Sequence, residues 1–342
     1  MKKNEFFFKQ GPFALNVLIK SINCKNDFKS KELSKDKVYG IETLDKATNG
    51  DITFLNSSKY KDYSIKTKAI ACITSSNLSN FLPKKCIKII VNNVLLETNK
   101  IMNQFYPKAD IDYPDPDLII SSNIKKNYPK VFFGKNVLIG KNVKIGKNTF
   151  IGNNTIIESN VLIGENCNIG SFVLIKNSLI KNFVNIKDGS KIGIKGFGFI
   201  PVKNKNLRSP QIGRVLLEDG VEVGANCTID RGSISDTVIG RNTFLDNLIH
   251  IAHNVKIGEN CIFAAQSGVA GSTNIGNNVI MGGQGGISGH LKIGDYVRIA
   301  GGSAVLKDVL KGQVGGNPAM PIREFVKLRK KKWKKIQLIK KR

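Results

Sequence analysis

A mainly β chain wound as a parallel β-helix is predicted by three observations. Aliphatic residues recur at every sixth position over most of residues 133–305, glycine and asparagine crowd the positions between them, and neither the 3.6-residue period of a helix nor the 2-residue period of a half-buried strand competes. Phe133, Ile139, Ile145, Ile151, Ile157, Ile163, Ile169 and Ile175 keep the spacing of six without a slip. The frame loosens through Ile186 and Ile192, is interrupted by GFGFIPVKNKNLRSPQIG (Gly196–Gly213), and resumes at Leu217, Val223 and Ile229. After a shift near 231–236 it locks again from Ile239 through Ile251, Val269 and Ile287 to Val305. Each hexad supplies a short strand and a turn, its central aliphatic pointing inward, and three hexads make one triangular coil of eighteen residues. Glycine and asparagine fit the corners because both tolerate the left-handed backbone of a tight turn.

The flanks read differently. The 342 residues and 37.6 kDa leave room for a second domain before the hexads, joined to them by the proline-containing stretch DYPDPD (Asp112–Asp117). Near the N-terminus Lys9, Gln10, Gly11 and Pro12 interrupt any signal-peptide core, and no apolar run reaches the ~18 residues of a membrane span. The six cysteines, Cys24, Cys72, Cys86, Cys167, Cys227 and Cys261, show no paired spacing, which predicts reduced packing residues in a cytoplasmic protein. The tail KLRKKKWKKIQLIKKR (Lys327–Arg342) reads as a short basic helix with Trp333, Ile336 and Ile339 on one side.

A formal net charge of +27 admits nucleic acid, an anionic membrane surface or an acidic protein as partner, set against a general lysine bias. No helix-turn-helix, aromatic RNA-binding signature or zinc finger supports nucleic acid.

Only three histidines occur, and NLIHIAHNVKIGEN (Asn247–Asn260) holds two of them. His253 follows the central Ile251 by two residues and His290 follows Ile287 by three, and these centres are 36 residues, or two coils, apart. Both therefore fall near one corner, roughly 10 Å apart along the axis at ~4.8 Å per strand. His250 points outward from the adjoining flat face. Chance surface histidines and a zinc site are the competing accounts. Zinc ligands must approach within ~2.1 Å of one ion, so two histidines so close in sequence and a third two coils away argue against a metal.

IAHN in DNLIHIAHNVKIGEN, GFGF at Gly196–Phe199, TIDRG within Pro210–Gly240 and SGHLKIGD at Ser288–Asp295 resemble the UDP-3-O-(3-hydroxyacyl)glucosamine N-acyltransferases of lipid A biosynthesis. The resemblance spans nearly the whole chain. It implies an N-terminal α/β uridine-binding domain (1–110), a left-handed β-helix (111–311) and a basic helical extension (312–342). It also implies a cytoplasmic homotrimer that needs no bound cofactor. The acyl donor is carried on the phosphopantetheine of acyl carrier protein, and the product is a UDP-2,3-diacylglucosamine. His253 matches the catalytic base, His290 a second histidine that assists the substrate or tetrahedral intermediate, and Gly271 the backbone oxyanion donor. Asp246, seven residues before His253, is expected to orient an imidazole or to serve as a turn carboxylate.

Phe54 and Tyr60, in GDITFLNSSKY (Gly50–Tyr60), match aromatics that hold uracil, with Ser57 where asparagine is usual and Asn56 beside it. His250 stands where glutamine is common. Ala304, in GGSAVL, matches the position that closes the acyl groove. Acidic carrier protein gives the basic charge a use, and peripheral contact with the inner-membrane surface is a further expectation. Another hexapeptide-repeat sugar O- or N-acyltransferase and a metal-binding prism of the same fold are the alternatives.

Overall fold

Residues 5–26, 28 and 36–339 are described in the structure, a computed structural model. The chain divides into two compact units, one comprising 1–112 with 198–212 and 233–235, the other 113–197, 213–232 and 236–342.

In the second unit the hexads become strands of two to four residues gathered into three sheets of eight, ten and eleven strands, parallel except at their ends. Successive coils stack in register, as in Ile139↔Ile157↔Ile175 and Ile251↔Val269↔Ile287↔Val305. Ile157, Ile175 and Ile251 are wholly buried. A column of such residues removes ~1.5–3 kcal/mol worth of apolar surface per side chain from water, and this outweighs the modest value of any one two-residue ladder.

The corners explain the asparagines. Asn136, Asn142, Asn148, Asn154, Asn160 and Asn166 all have φ between 54° and 66°, and an asparagine side chain lowers the cost of that left-handed backbone. Their amides continue the stacking outside the main chain, with Asn142 Nδ2 donating to Asn160 Oδ1 at 3.2 Å and Asn148 Nδ2 to Asn166 Oδ1 at 3.2 Å. Gly146 is required for a different reason, since a Cβ there would lie 2.6 Å from the Glu165 nitrogen of the next coil.

The stack ends on Gln313–Gly315, parallel to Arg298–Ile299, and the chain continues into the helix Ile322–Ile339. Trp333 on that helix is exposed. The side chains of Ile336 and Ile339, expected to share its face, lie outside the described residues.

The first unit carries a four-stranded parallel sheet in chain order: Gly40–Ile41, Asp51–Leu55, Ala71–Thr74 and Ile87–Ile90. The helix Val94–Phe105 starts at Asn93, whose Oδ1 accepts from Leu96 N at 3.0 Å, and buries Val94, Ile101, Met102 and Phe105. These join Ile52, Ile73 and Ile89 in the larger of two apolar clusters, while Leu55, Cys72 and Cys86 belong to the smaller.

The segment that interrupts the hexads completes this unit. Phe199–Val202 and Lys205–Arg208 form an antiparallel hairpin. Asn99 Nδ2 donates to Arg208 O at 2.9 Å, and Ile212 enters the larger cluster. All six cysteines are free, five of them buried, and burial pushes the Cys86 thiol up to about 11, far from the reactive range.

Candidate active site

The ten-stranded sheet and the corner that follows it position the histidines. Its register runs Ile229↔Ile251↔Val269↔Ile287, so Asp230, Ala252, Ala270 and Ser288 occupy successive places just past the sheet, one coil apart. His253, Gly271 and Gly289 come next in the same corner, followed by Asn254, Ser272 and His290. The last three all have φ near 60° (62°, 62° and 59°). His290 therefore stacks over Asn254, one residue further round the corner than His253. Ser272 N donates to His253 O at 3.0 Å and His290 N to Gly271 O at 3.0 Å, which ties the three coils together.

His253 is half-buried, and its Nδ1 lies 3.0 Å from Asn254 Oδ1. With Nδ1–H donating to that oxygen, Nε2 is left as the acceptor. Gly271 covers the ring so closely that a Cβ there would lie 2.7 Å from His253 Cε1 and 2.9 Å from Nε2. Nothing in the sequence pattern alone gave Asn254 a role, yet its place directly after the histidine within IAHN was the available signal.

Asp246 sits at the preceding corner of the coil, after Leu245 of the eleven-stranded sheet. There its Oδ1 accepts from Asn247 N at 2.8 Å and its Oδ2 from Ala265 N at 3.2 Å, the work of a turn carboxylate.

A second carboxylate stands beside the histidines instead. Asp230, buried with 3% exposure, has its Oδ2 3.7 Å from His250 Nε2, and Thr228 Oγ1 lies 2.7 Å from His250 Nδ1. Gly196, the first residue of GFGF, covers Asp230, since a Cβ there would lie 2.8 Å from Oδ2. Burial raises the Asp230 carboxyl above the usual carboxylate range, opposed by the charges of His250, His253, Arg231 and Lys195. Arg231 is itself buried and donates Nη1–H to Gly193 O at 3.2 Å.

On the outer face of the sheet Thr228, His250, Gly268, Gly286 and Ala304 form one column. A Cβ at Gly268 or Gly286 would meet nothing within 4 Å. Ala304 thus lies three coils beyond His250, roughly 14 Å along the axis at ~4.8 Å per strand.

In the first unit Phe54 is half-buried against the larger apolar cluster and Tyr60 against the smaller one. Ser57 caps the short turn Ser58–Tyr60, its Oγ accepting from Lys59 N at 3.3 Å. Among the described residues no group of three or more histidine, cysteine or carboxylate side chains is arranged to hold a metal ion.

A stack of hexapeptide coils with an imidazole and a close glycine at one corner defines a hexapeptide-repeat acyltransferase. The bacterial transferase hexapeptide model matches residues 142–177 and 236–271, and the model for UDP-3-O-(3-hydroxymyristoyl) glucosamine N-acyltransferase matches residues 37–103 of the first unit. The UDP-3-O-acylglucosamine N-acyltransferase of Methylorubrum populi is 36% identical over 298 residues, covering 84% of each chain. The chain belongs to the UDP-3-O-acylglucosamine N-acyltransferase family, and its fold is the left-handed parallel β-helix of that family.

The Azorhizobium caulinodans member is 60% identical over 154 residues, 45% of this chain and 43% of the relative. The alignments to it and to two Methylobacterium members likewise cover only 43% of each relative. Among solved structures, the Francisella novicida UDP-N-acetylglucosamine acyltransferase is 25% identical with a TM-score of 0.50, covering 54% of this chain and 67% of that one.

Proposed function

We propose that the chain transfers an (R)-3-hydroxyacyl group from the phosphopantetheine thioester of acyl carrier protein to the 2-amino group of a UDP-3-O-acylglucosamine. The observation that carries this reading is His253, with its Nδ1 held by Asn254 Oδ1 at 3.0 Å and its Nε2 beneath Gly271. An ammonium has no lone pair with which to attack a thioester, and the amine that does attack must shed a further proton as the C–N bond forms. An imidazole with one nitrogen anchored presents the other as the base.

Attack at the thioester carbon places negative charge on its oxygen, and the N–H of Gly271 is the donor assigned to it. Glycine lets the thioester approach the main chain closely. His290 assists the bound substrate or the tetrahedral intermediate. Collapse of the intermediate breaks the C–S bond, and the imidazolium returns its proton to sulfur.

Phe54 and Tyr60 take the uracil ring by stacking, worth ~1–3 kcal/mol per base. Ser57, whose hydroxyl keeps its donor while it caps the turn, and the adjacent Asn56 supply the polar contact to uracil. Ala304 bounds the acyl groove. The net charge of +27 favours an acidic carrier protein, and the protein acts in the cytoplasm as a homotrimer in peripheral contact with the inner membrane.

The test is incubation of the purified chain with UDP-3-O-acylglucosamine and a panel of carrier-protein thioesters, read by mass spectrometry. An amide-linked diacyl product, lost by ~10²–10⁴-fold in His253→Ala, supports the reading. Product formed at wild-type rate by His253→Ala rejects it.

A further inference from the structure

Joining an ammonium to a thioester removes two protons from nitrogen. In the balanced reaction R–NH₃⁺ and R′CO–S–R″ give R–NH–CO–R′, HS–R″ and one H⁺. His253 accounts for one proton, which it takes as the C–N bond forms and returns to sulfur as the C–S bond breaks. The other must leave earlier, when ammonium becomes amine, and it is the one released to solvent. A site with a single base leaves that proton to be lost in solution, before the amino-sugar binds.

We propose that His250, held by Thr228 and Asp230, is that second acceptor. This rests on the reaction proposed above. The neutral ring is held at both nitrogens: the Thr228 hydroxyl donates to Nδ1 at 2.7 Å, and Nε2–H faces Asp230 Oδ2 at 3.7 Å, the distance of an ion pair. When Nδ1 takes a proton, the Thr228 hydroxyl rotates to accept from it, and the Asp230 carboxylate balances the imidazolium.

Asp230 is only 4% exposed at its side chain, so it acts through the ring as a positioning residue, whereas His250 is 50% exposed and can pass its proton to water. The other charged groups do not supplant this pairing. His253 faces Asp230 from the next corner position, and Arg231 and Lys195 also face it, Arg231 being tied to Gly193 O. Lys191, one coil below Thr228 in the same column, donates to Phe172 O and Gly189 O at 2.8 and 2.9 Å. Above His250 the column continues with Gly268, which leaves the ring open on that side.

The experiment measures kcat/KM for the amino-sugar from about pH 6 to about pH 9 in dilute buffer, for wild type, His250→Gln, Asp230→Asn and His253→Ala. Near pH 6.5, where the substrate is largely ammonium, His250→Gln and Asp230→Asn should lose about tenfold. Both should approach wild type near pH 9, and added imidazole should restore His250→Gln but not His253→Ala.

His250→Gln alters only a half-exposed side chain, so it decides the matter even if Asp230→Asn folds poorly. A loss that is the same at every pH, no loss near pH 6.5, or no rescue by imidazole overturns the proposal while leaving the N-acyltransferase reading intact. A wild-type chain that forms no amide overturns both.

Discussion

Replacing Gly271 by alanine adds a single carbon and should disable the site without unfolding the protein. The new Cβ would lie 2.7 Å from His253 Cε1, 2.9 Å from Nε2 and 3.2 Å from Nδ1, whereas ordinary contacts begin at 3.4 Å. The ring must therefore withdraw by at least the difference, about 0.7 Å, and by about 1.3 Å to reach the outer edge of contact at 4 Å. The main chain has no reason to object, because Gly271 has no positive φ and its N–H is untouched. A displacement of ~1 Å at a reacting group costs roughly 10²-fold. We expect Gly271→Ala to lower kcat about a hundredfold, with an unfolding temperature close to wild type. The double variant Gly271→Ala/His253→Ala should be no slower than His253→Ala alone, since the alanine acts only by moving a ring that is no longer there. Wild-type turnover in Gly271→Ala, or additive losses in the double variant, would refute the argument.

Ala304→Met should shift product distributions in competing-thioester reactions toward shorter acyl chains. At ~0.8 kcal/mol per buried methylene, two carbons change the preference by over about 1 kcal/mol, and coincident distributions would remove Ala304 from the groove. Phe54→Ala and Tyr60→Ala should raise the KM for the UDP-sugar more than they lower kcat; a fall in unfolding temperature with KM unchanged would mark them as packing residues instead. Asp230→Asn bears on stability as well as rate. The Asp230 carboxyl is raised by burial, so its favourable contribution to folding is present below the unfolded value near 3.8 and is lost as pH rises through the higher folded value. The asparagine variant should melt above wild type near neutral pH, with the gain fading as pH falls toward 4. A variant melting below wild type near neutral pH would show that Asp230's charge partners outweigh its desolvation.

The hexads announced the prism because one buried aliphatic per strand is a pattern written directly in the chain. The two-coil spacing of Ile251 and Ile287 likewise brought His253 and His290 to one corner. Irregular steps were harder to read. Ile175 pairs with Ile192, Ile192 with Ile229 and Ile229 with Ile251, steps of 17, 37 and 22 residues that change which residues stack without changing which are apolar. Asp230 was hidden by such a step. Its signal was a carboxylate in the frame position that holds Ala252, Ala270 and Ser288 in later coils, and only the register brings it beside His250. The hairpin at Phe199–Arg208 read only as an interruption of the hexads, because nothing in its residues names the partners it packs against.

That hairpin has a consequence for the order in which the protein can be made. The first unit draws on residues 1–112 but lacks part of its core until Ile212 has left the ribosome. At ~5–20 residues per second, the 86 residues from 112 to 198 alone take roughly 4 to 17 s to synthesise. Throughout that interval the larger apolar cluster of the first unit waits for Ile212 while lower coils of the prism are already emerging. A chain truncated at residue 112 would preserve that waiting state permanently, and the natural boundary for exchanging this unit between relatives therefore has three pieces.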